Sequence, residues 1–433
     1  MFLNLNMNMR YVQFMLRGAT LLSRVIFLLF IARNLSVTEV GFYGFMAALI
    51  FAIVFLAGFE YGNYSSRNII KCRTFLCKQE VVVKLTIFGL IMFFLFAPFL
   101  YFVGSSMEWF KSYQFLNDYS TVLLFFIISY GESYVAEHKK ILISLSYPIY
   151  SGVVDFVKGG IWAYLLIFFV LSGWIELNLN SILCIWAFFV MIGAMMVFIK
   201  LKKYYNKKMF FSFPSFDTYR HQIYLSLPFF LSGLFLVLIE LSGRISLQLA
   251  GLNIQAGVYT LYAGFIFSIP LFVWSSSVAF DHPEIIKSHE NGNIIKSDRL
   301  VIVMLKRSLA ICFVLIFLLF IAFDILILIV EKEEYSNYIN QFHLFLLVPI
   351  VHVFDTHLYY MLYTRHMDKL IALSAIVGGI FLIIFQYLTI NNGGISAVIL
   401  SIIFALTISS LLKVFFIRRS IIKNKKYTPS IST

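Results

Sequence analysis

The sequence predicts an all-α integral membrane protein of about twelve transmembrane helices, arranged as two parallel six-helix lobes around a central cavity. Three observations predict it. Of 433 residues, 61% are apolar and only 13% are charged, roughly half the charged share of a soluble protein. Apolar stretches separated by short polar breaks recur about a dozen times, each near the roughly 20 residues that cross a hydrocarbon core. A motif in the first half returns in the second at an offset of 216 residues, half the chain length. Nothing is left over for a large aqueous domain.

In the first half the expected spans run from Tyr11 to Ala32, Phe42 to Tyr61, Val81 to Val103, Ser120 to Ala136, Ile141 to Val170 and Ser181 to Ile199. In the second they run from Gln222 to Ala250, Gly257 to Ala279, Leu300 to Val330, Gln341 to Thr364, Leu370 to Ile390 and Ile395 to Ile417. Residues 1–199 then form one lobe and 221–417 the other. A basic cytoplasmic linker, 200–220, joins them, and a basic tail covers 418–433.

The net charge of +13 could suggest nucleic acid until its placement is considered. With the N-terminus inside, 23 Lys and Arg fall in cytoplasmic segments, against Arg33, Lys111 and Lys332 outside. Loops rich in Lys and Arg resist translocation, so this asymmetry predicts both termini in the cytoplasm. The charge is a topological signal. The apolar stretch after the polar first ten residues carries Arg17 and Arg24 and lacks a small-residue cleavage site, so no cleaved signal peptide is expected. Cys72, Cys77, Cys184 and Cys312 lack zinc-ligand spacing and read as structurally neutral; no metal site or cofactor is expected.

The repeat is carried by Gly41, Tyr43, Ala47, Ile50, Phe51 and Ile53, which return as Gly257, Tyr259, Ala263, Ile266, Phe267 and Ile269. Halves with six helices each enter the membrane in the same orientation and relate by an axis along its normal. Two such lobes can open a cavity to either side in turn.

Ionisable groups at membrane depth cost about 2.5–3.5 kcal/mol each on insertion scales, so they mark partners or wet cavities. Arg17 and Arg24 share a stripe of the first helix with no carboxylate three or four residues away, and must look outside that helix. Arg24 lies roughly 20 Å along the rise from the cytoplasmic end. Asp155 with Lys158, and Glu240 with Arg244, have spacings that permit intrahelical ion pairs. His352, Asp355 and Tyr359 share a face of the tenth helix, readable as a proton relay or a hydrogen-bonded packing cluster. Glu60, Glu132 and Asp324 lie nearer helix ends, where headgroup water is the simpler reading. Arg17, Arg24, Lys158 and Arg244 are the candidate substrate-binding cations. Asp155, Glu240, His352 and Asp355 are candidates for coupling or gating.

The string LPFFLSGLFLVLIELSGRISLQLAGLNIQAGVY, from Leu227 to Tyr259, and the following HPEIIKS resemble the bacterial polysaccharide flippases of the O-antigen translocase type. These belong to the multidrug, oligosaccharidyl-lipid and polysaccharide exporter superfamily. The features that carry the resemblance are Pro228, Glu240 with Arg244, Gly257 with Tyr259, and Pro283 with Lys287, joined by Arg24 and LSVTEVGFYG in the first helix pair. The sequence departs from the family in one respect: Glu240 and Arg244 stand four apart, where an adjacent Asp-Arg is common. The resemblance implies a bacterial inner-membrane flippase and no enzymatic activity. It would turn an undecaprenyl-pyrophosphate-linked oligosaccharide from the cytoplasmic to the periplasmic leaflet by alternating access. It also implies partnership with a polysaccharide polymerase and a chain-length regulator, and leaves proton or sodium coupling open.

Two other classes compete. A cation-coupled multidrug exporter of the same superfamily would need an acidic cavity, which the deep arginines disfavour. A membrane polysaccharide polymerase usually carries a long external loop, and the external segments here are short.

Overall fold

A computed structural model describes residues 2–105, 119–206 and 216–427, and among these every regular element is a helix. Lys111, Lys207, Lys208 and the tail from 428 onward lie outside the described residues. The helices are α1 (Phe2–Asn34), α2 (Val37–Gly58), α3 (Tyr61–Lys71), α4 (Phe75–Ser105), α5 (Tyr119–Ser144), α6 (Pro148–Leu171), α7 (Leu179–Leu201) and α8 (Phe216–Leu249). They continue as α9 (Asn253–Val273), α10 (Ala279–Glu290), α11 (Ile294–Val330), α12 (Ile339–Thr364) and α13 (Asp368–Tyr427).

Ten of these segments are long and apolar enough to cross a membrane. The last contains two crossings, because Gly394 leaves helical geometry (φ 50°, ψ −130°) and splits α13 into two arms. Gln255 Oε1 accepts the freed Ile395 N–H at 3.1 Å, satisfying a group that hydrocarbon could not. Charged α5 supplies a further crossing, giving twelve. On α11, Phe313, Phe317, Phe320, Ile325 and Leu328 are exposed, as expected of a face solvated by lipid.

The chain forms two compact units. One comprises Met1–Phe230, Gly257–Ser268 and Ala322–Asn337; the other comprises Leu231–Ala256, Ile269–Ile321 and Tyr338–Thr433. In the first unit Leu85, Phe88, Val135, Leu142, Val154 and Val197 join α4, α5, α6 and α7 in one core. Phe27, Ile31, Trp162, Leu166 and Ile182 join α1, α6 and α7 in another. A smaller core in the second unit gathers Ile269, Val273, Cys312 and Val353.

Local sequence explains the element ends. Ser36 and Glu39 form a reciprocal capping box at the start of α2, and Asn178 with Ser181 does the same for α7. Phe59 and Glu60, both at positive φ, break α2 from α3. The expected fourth and fifth spans left Lys139 and Lys140 in a loop. Instead α5 runs on to Ser144, and the chain turns through Leu145–Tyr147 into Pro148 at the first turn of α6. Both lysines find carboxylate partners within the fold, so neither forces the helix to end. A single π turn, Val157–Ile161, interrupts α6 at its Gly159-Gly160 pair.

The half-length repeat extends to the backbone. The starts of α2 and α9, Val37 and Asn253, are separated by the same 216 residues. The break at Phe59–Glu60 is matched in α9–α10 by a π turn over Trp274–Val278. Within the first unit Gly44 packs so closely against its repeat equivalent, Thr260, that a Cβ on Gly44 would strike the Thr260 methyl.

The cysteines are not all neutral: Cys72 and Cys77 are joined by a disulfide between the end of α3 and the start of α4, with Cα atoms 5.7 Å apart. Cys184 and Cys312 are free.

Candidate functional site

The first unit concentrates charge at membrane depth, and α5 is its hub. Successive charged residues on α5 reach three different elements. Glu132 meets Lys158 from the π turn of α6 and accepts from Trp186 Nε1 at 3.2 Å. Lys139 Nζ donates to both oxygens of Asp155 on α6, at 3.2 and 3.0 Å. Lys140 Nζ bridges Glu60 at 2.9 Å and Glu137 at 2.7 Å. Glu137 also accepts the Gly62 N–H at 2.7 Å. Side chains on Gly58 or Gly62 would overlap the Glu137 carboxylate, so glycine is what admits it.

Asp155 is the most heavily committed carboxylate of the group. Arg17 Nη1 reaches it from α1 and Lys139 from α5, so two cations share one buried anion. Arg17 is 8% exposed, and its Nε and Nη2 have no acceptor among the described residues. The Arg17–Asp155–Lys139 group therefore carries an excess positive charge and two unused donors. About two turns along the same stripe, Arg24 is exposed and makes no hydrogen bond or ion pair among the described residues. Arg24 packs over the π turn: a Cβ on Gly159 would meet its Nη2 at 3.4 Å, ordinary contact. A π turn removes a regular backbone hydrogen bond and is frequent at functional sites.

Several expectations from sequence need correction. Asp155 and Lys158 do not pair along their helix: each finds a partner on α1 or α5, because the π turn rotates Lys158 across Gly193 of α7 toward Glu132. Glu60 and Glu132 are not left to headgroup water; their side chains are 20% and 17% exposed and ion-paired. Arg17 does look outside its helix, to Asp155.

In the second unit Asp355 is taken up by Lys413 Nζ at 2.5 Å and Ser410 Oγ at 3.1 Å, both on the second arm of α13, rather than by His352. The nearest side-chain partner of the His352 ring is Thr356 Oγ1, at 3.5 Å. Glu240 and Arg244 lie one turn apart on α8, half-buried, and both are engaged. Asp324 is exposed. Lys413 was missed in the sequence, although a lone lysine inside ISSLLKVFF was the available signal. Among the described residues no group of His, Cys, Asp and Glu is placed to hold a metal ion.

No known family profile matches the chain, and no curated protein matches it in sequence. Solved structures do match. A mutant of the Vibrio cholerae MATE transporter VcmN superimposes with a TM-score of 0.70 at 13% identity, over 96% of each chain. A MATE transporter in a straight conformation gives 0.70 at 13% identity, over 96% of this chain and 95% of that one. An inward-facing multidrug resistance MATE family transporter of the MOP superfamily gives 0.65 at 14% identity, over 97% of this chain and all of that one. These neighbours are transporters rather than enzymes, and the chain has the fold of the MATE transporters.

Proposed function

We propose that the chain is a multi-pass membrane transporter that works by alternating access and carries an anionic amphiphile, a lipid-pyrophosphate-linked oligosaccharide, between leaflets. The observation that carries the substrate class is the charge balance at depth. Glu60, Glu132, Glu137 and Asp155 are all bound by lysine or arginine, whereas Arg24 is exposed and has no partner among the described residues. A pyrophosphate cannot enter hydrocarbon unshielded, and charge-assisted bonds from guanidinium groups are the strong way to shield it. The unused Arg17 donors add to this, and the sugar chain needs only a wet cavity while the lipid tail stays in the bilayer.

A second reading is a cation-coupled multidrug exporter. The fold comparisons taken alone favour it, since one neighbour is described as a multidrug resistance transporter. It needs a carboxylate free to take a drug cation or coupling ion, and the Glu60–Glu137–Lys140 group, with two carboxylates to one lysine, is the place for it.

One pair of assays separates the two. Cells lacking a surface-polysaccharide flippase and cells lacking drug exporters each receive the gene. Restored surface polysaccharide, lost in an Arg24→Ala variant that still reaches the membrane, supports the first reading. Restored drug resistance without polysaccharide supports the second.

A further inference from the structure

Helix ends from opposite halves of the sequence meet in the first unit. Residues 257–268 of α9 and 322–337, from the end of α11 and the segment after it, belong to the second half of the chain yet cluster with the first. The charge asymmetry places them, with the end of α1 and the start of α2, on the side opposite the basic loops.

Two layers of contact hold them there. The upper layer is polar. Lys332 Nζ donates to the Ala32 and Leu35 carbonyls at 2.6 and 2.8 Å, so the end of α1 takes its cap from a residue 300 positions along the chain from Ala32. Beside it Arg33 Nη2 lies 2.9 Å from Glu331, with both side chains more than half exposed.

The lower layer is dry. The Tyr262 hydroxyl donates to the Tyr335 carbonyl, both residues are fully buried, and Phe323 stands edge-on to Tyr262 with ring centroids 5.3 Å apart. Gly264 of α9 lies against Leu28 of α1, and Gly44 of α2 against Thr260, each so close that a Cβ would strike the opposing side chain. Gly44 and Thr260 are repeat equivalents, 216 residues apart. A residue touches its own equivalent only near the axis that relates two repeats, so the dry layer sits on that axis, where a path between the halves must pass.

The layers divide the work of a gate. Ion pairs and charge–carbonyl bonds at a wet surface exchange their partners for water at little net cost, so the polar layer can be made and broken in every cycle. The dry layer is what excludes water. Arg24 lies below both, roughly 15 Å along the rise from the outer end of α1.

We propose that these contacts are the outer gate of the transporter, closed in this structure, with Lys332 as its latch. Release of Lys332 from the end of α1 frees 322–337 and the outer part of α9 to leave the first unit and opens a path to Arg24. The inference rests on the alternating-access reading but not on which substrate is carried.

The experiment measures accessibility rather than transport. Arg24→Cys reports water reaching the site. Ser172→Cys, exposed between α6 and α7, reports access on the gate side. Full-length protein in membrane vesicles, sealed in the orientation in which Ser172→Cys reacts, is treated with a membrane-impermeant methanethiosulfonate. Labelling is read position by position by peptide mass spectrometry, so the native cysteines stay in place.

Lys332→Ala should raise the labelling rate at position 24 at least about fivefold, because the rate follows the fraction of molecules with the gate open. The rate at position 172 should not change. Joining Arg33→Cys to Glu331→Cys with a bifunctional methanethiosulfonate should stop labelling at position 24 even though Lys332 is intact. Equal rates at position 24 with and without Lys332, or labelling that continues at the unbridged rate after bridging, overturn the proposal. A protein that shows the expected pattern but moves no lipid-linked sugar keeps the gate and loses the substrate reading alone.

Discussion

Lys158 of α6 pairs with Glu132 of α5 and passes over Asp155, the carboxylate three residues before it on its own helix. The pair ties α6 to α5 at a depth where either charge alone would be costly. Lys158→Ala leaves the half-buried Glu132 without its cation, and the expected loss of stability is about 3 kcal/mol, the low end for a broken buried pair. The exchange Lys158→Glu with Glu132→Lys should recover much of it. Thermal unfolding in detergent checks both; equal destabilisation by the exchange and the single variant would show that the pair does not act as a unit.

Asp155 predicts an asymmetry. Asp155→Asn removes the carboxylate that buried Arg17 and half-buried Lys139 share, whereas Lys139→Gln leaves Arg17 still paired. The aspartate variant should lose at least about 3 kcal/mol and the lysine variant clearly less. The same unfolding measurement decides it, and the reverse order would contradict the shared-anion geometry.

The glycine contacts around Glu137 give a packing test. Gly62→Ala forces the carboxylate away from the backbone N–H it accepts, at an expected cost of about 1–3 kcal/mol. Gly89→Ala in α4 meets no atom within 4 Å and should be neutral or stabilising by up to about 1 kcal/mol. Parallel melting curves of the two variants compare them directly.

Outside the spans, burial, with a smaller contribution from Glu334, pushes the Tyr335 hydroxyl up to about 12. An unfolded tyrosine ionises near 10. The folded form is thus favoured below pH 10 by keeping the proton, and this contribution is lost as pH rises from about 10 through about 12. The Tyr335 hydroxyl has no partner among the described residues, so Tyr335→Phe should leave neutral-pH stability equal or higher. It should also flatten the alkaline loss between pH 10 and 12. A variant that follows the wild-type curve there would contradict the assignment.

The twelve crossings were legible because hydropathy integrates over twenty residues and tolerates local error. The repeat was legible through Gly41, Tyr43 and their equivalents, and the structure extends it to helix starts and to the Gly44–Thr260 contact. Ion-pair partners were not legible. A three-residue spacing such as Asp155–Lys158 permits an intrahelical pair but does not require it, and the intervening π turn leaves no periodic trace beyond two glycines. Lys139 and Lys140 looked like a cytoplasmic break because charge ordinarily ends a span, and only the carboxylates of α6, the α2–α3 break and α5 itself make that charge tolerable inside a helix.

Arg33 and Lys332, two of the few cations expected outside, also have a structural use. Arg33 Nη2 lies 2.9 Å from Glu331, and Lys332 Nζ caps the end of α1 by donating to the carbonyls of Ala32 and Leu35 at 2.6 and 2.8 Å. Lys332→Ala should speed amide hydrogen exchange over residues 32–36, with distant spans unchanged.

The central claim, that Arg24 receives the phosphate of an anionic lipid-linked sugar, is tested most directly by reconstitution. Purified protein in liposomes is given lipid-pyrophosphate-linked oligosaccharide, and leaflet exchange is read by accessibility of the sugar to an external lectin. Wild-type protein should exchange the lipid, Arg24→Lys should retain part of the activity, and Arg24→Ala should fall by at least about tenfold, as expected when a charge-assisted bond worth roughly 1.5–3 kcal/mol is lost. Exchange by Arg24→Ala at the wild-type rate, or a wild-type protein that leaves the lipid in place while expelling a cationic dye, would contradict the account.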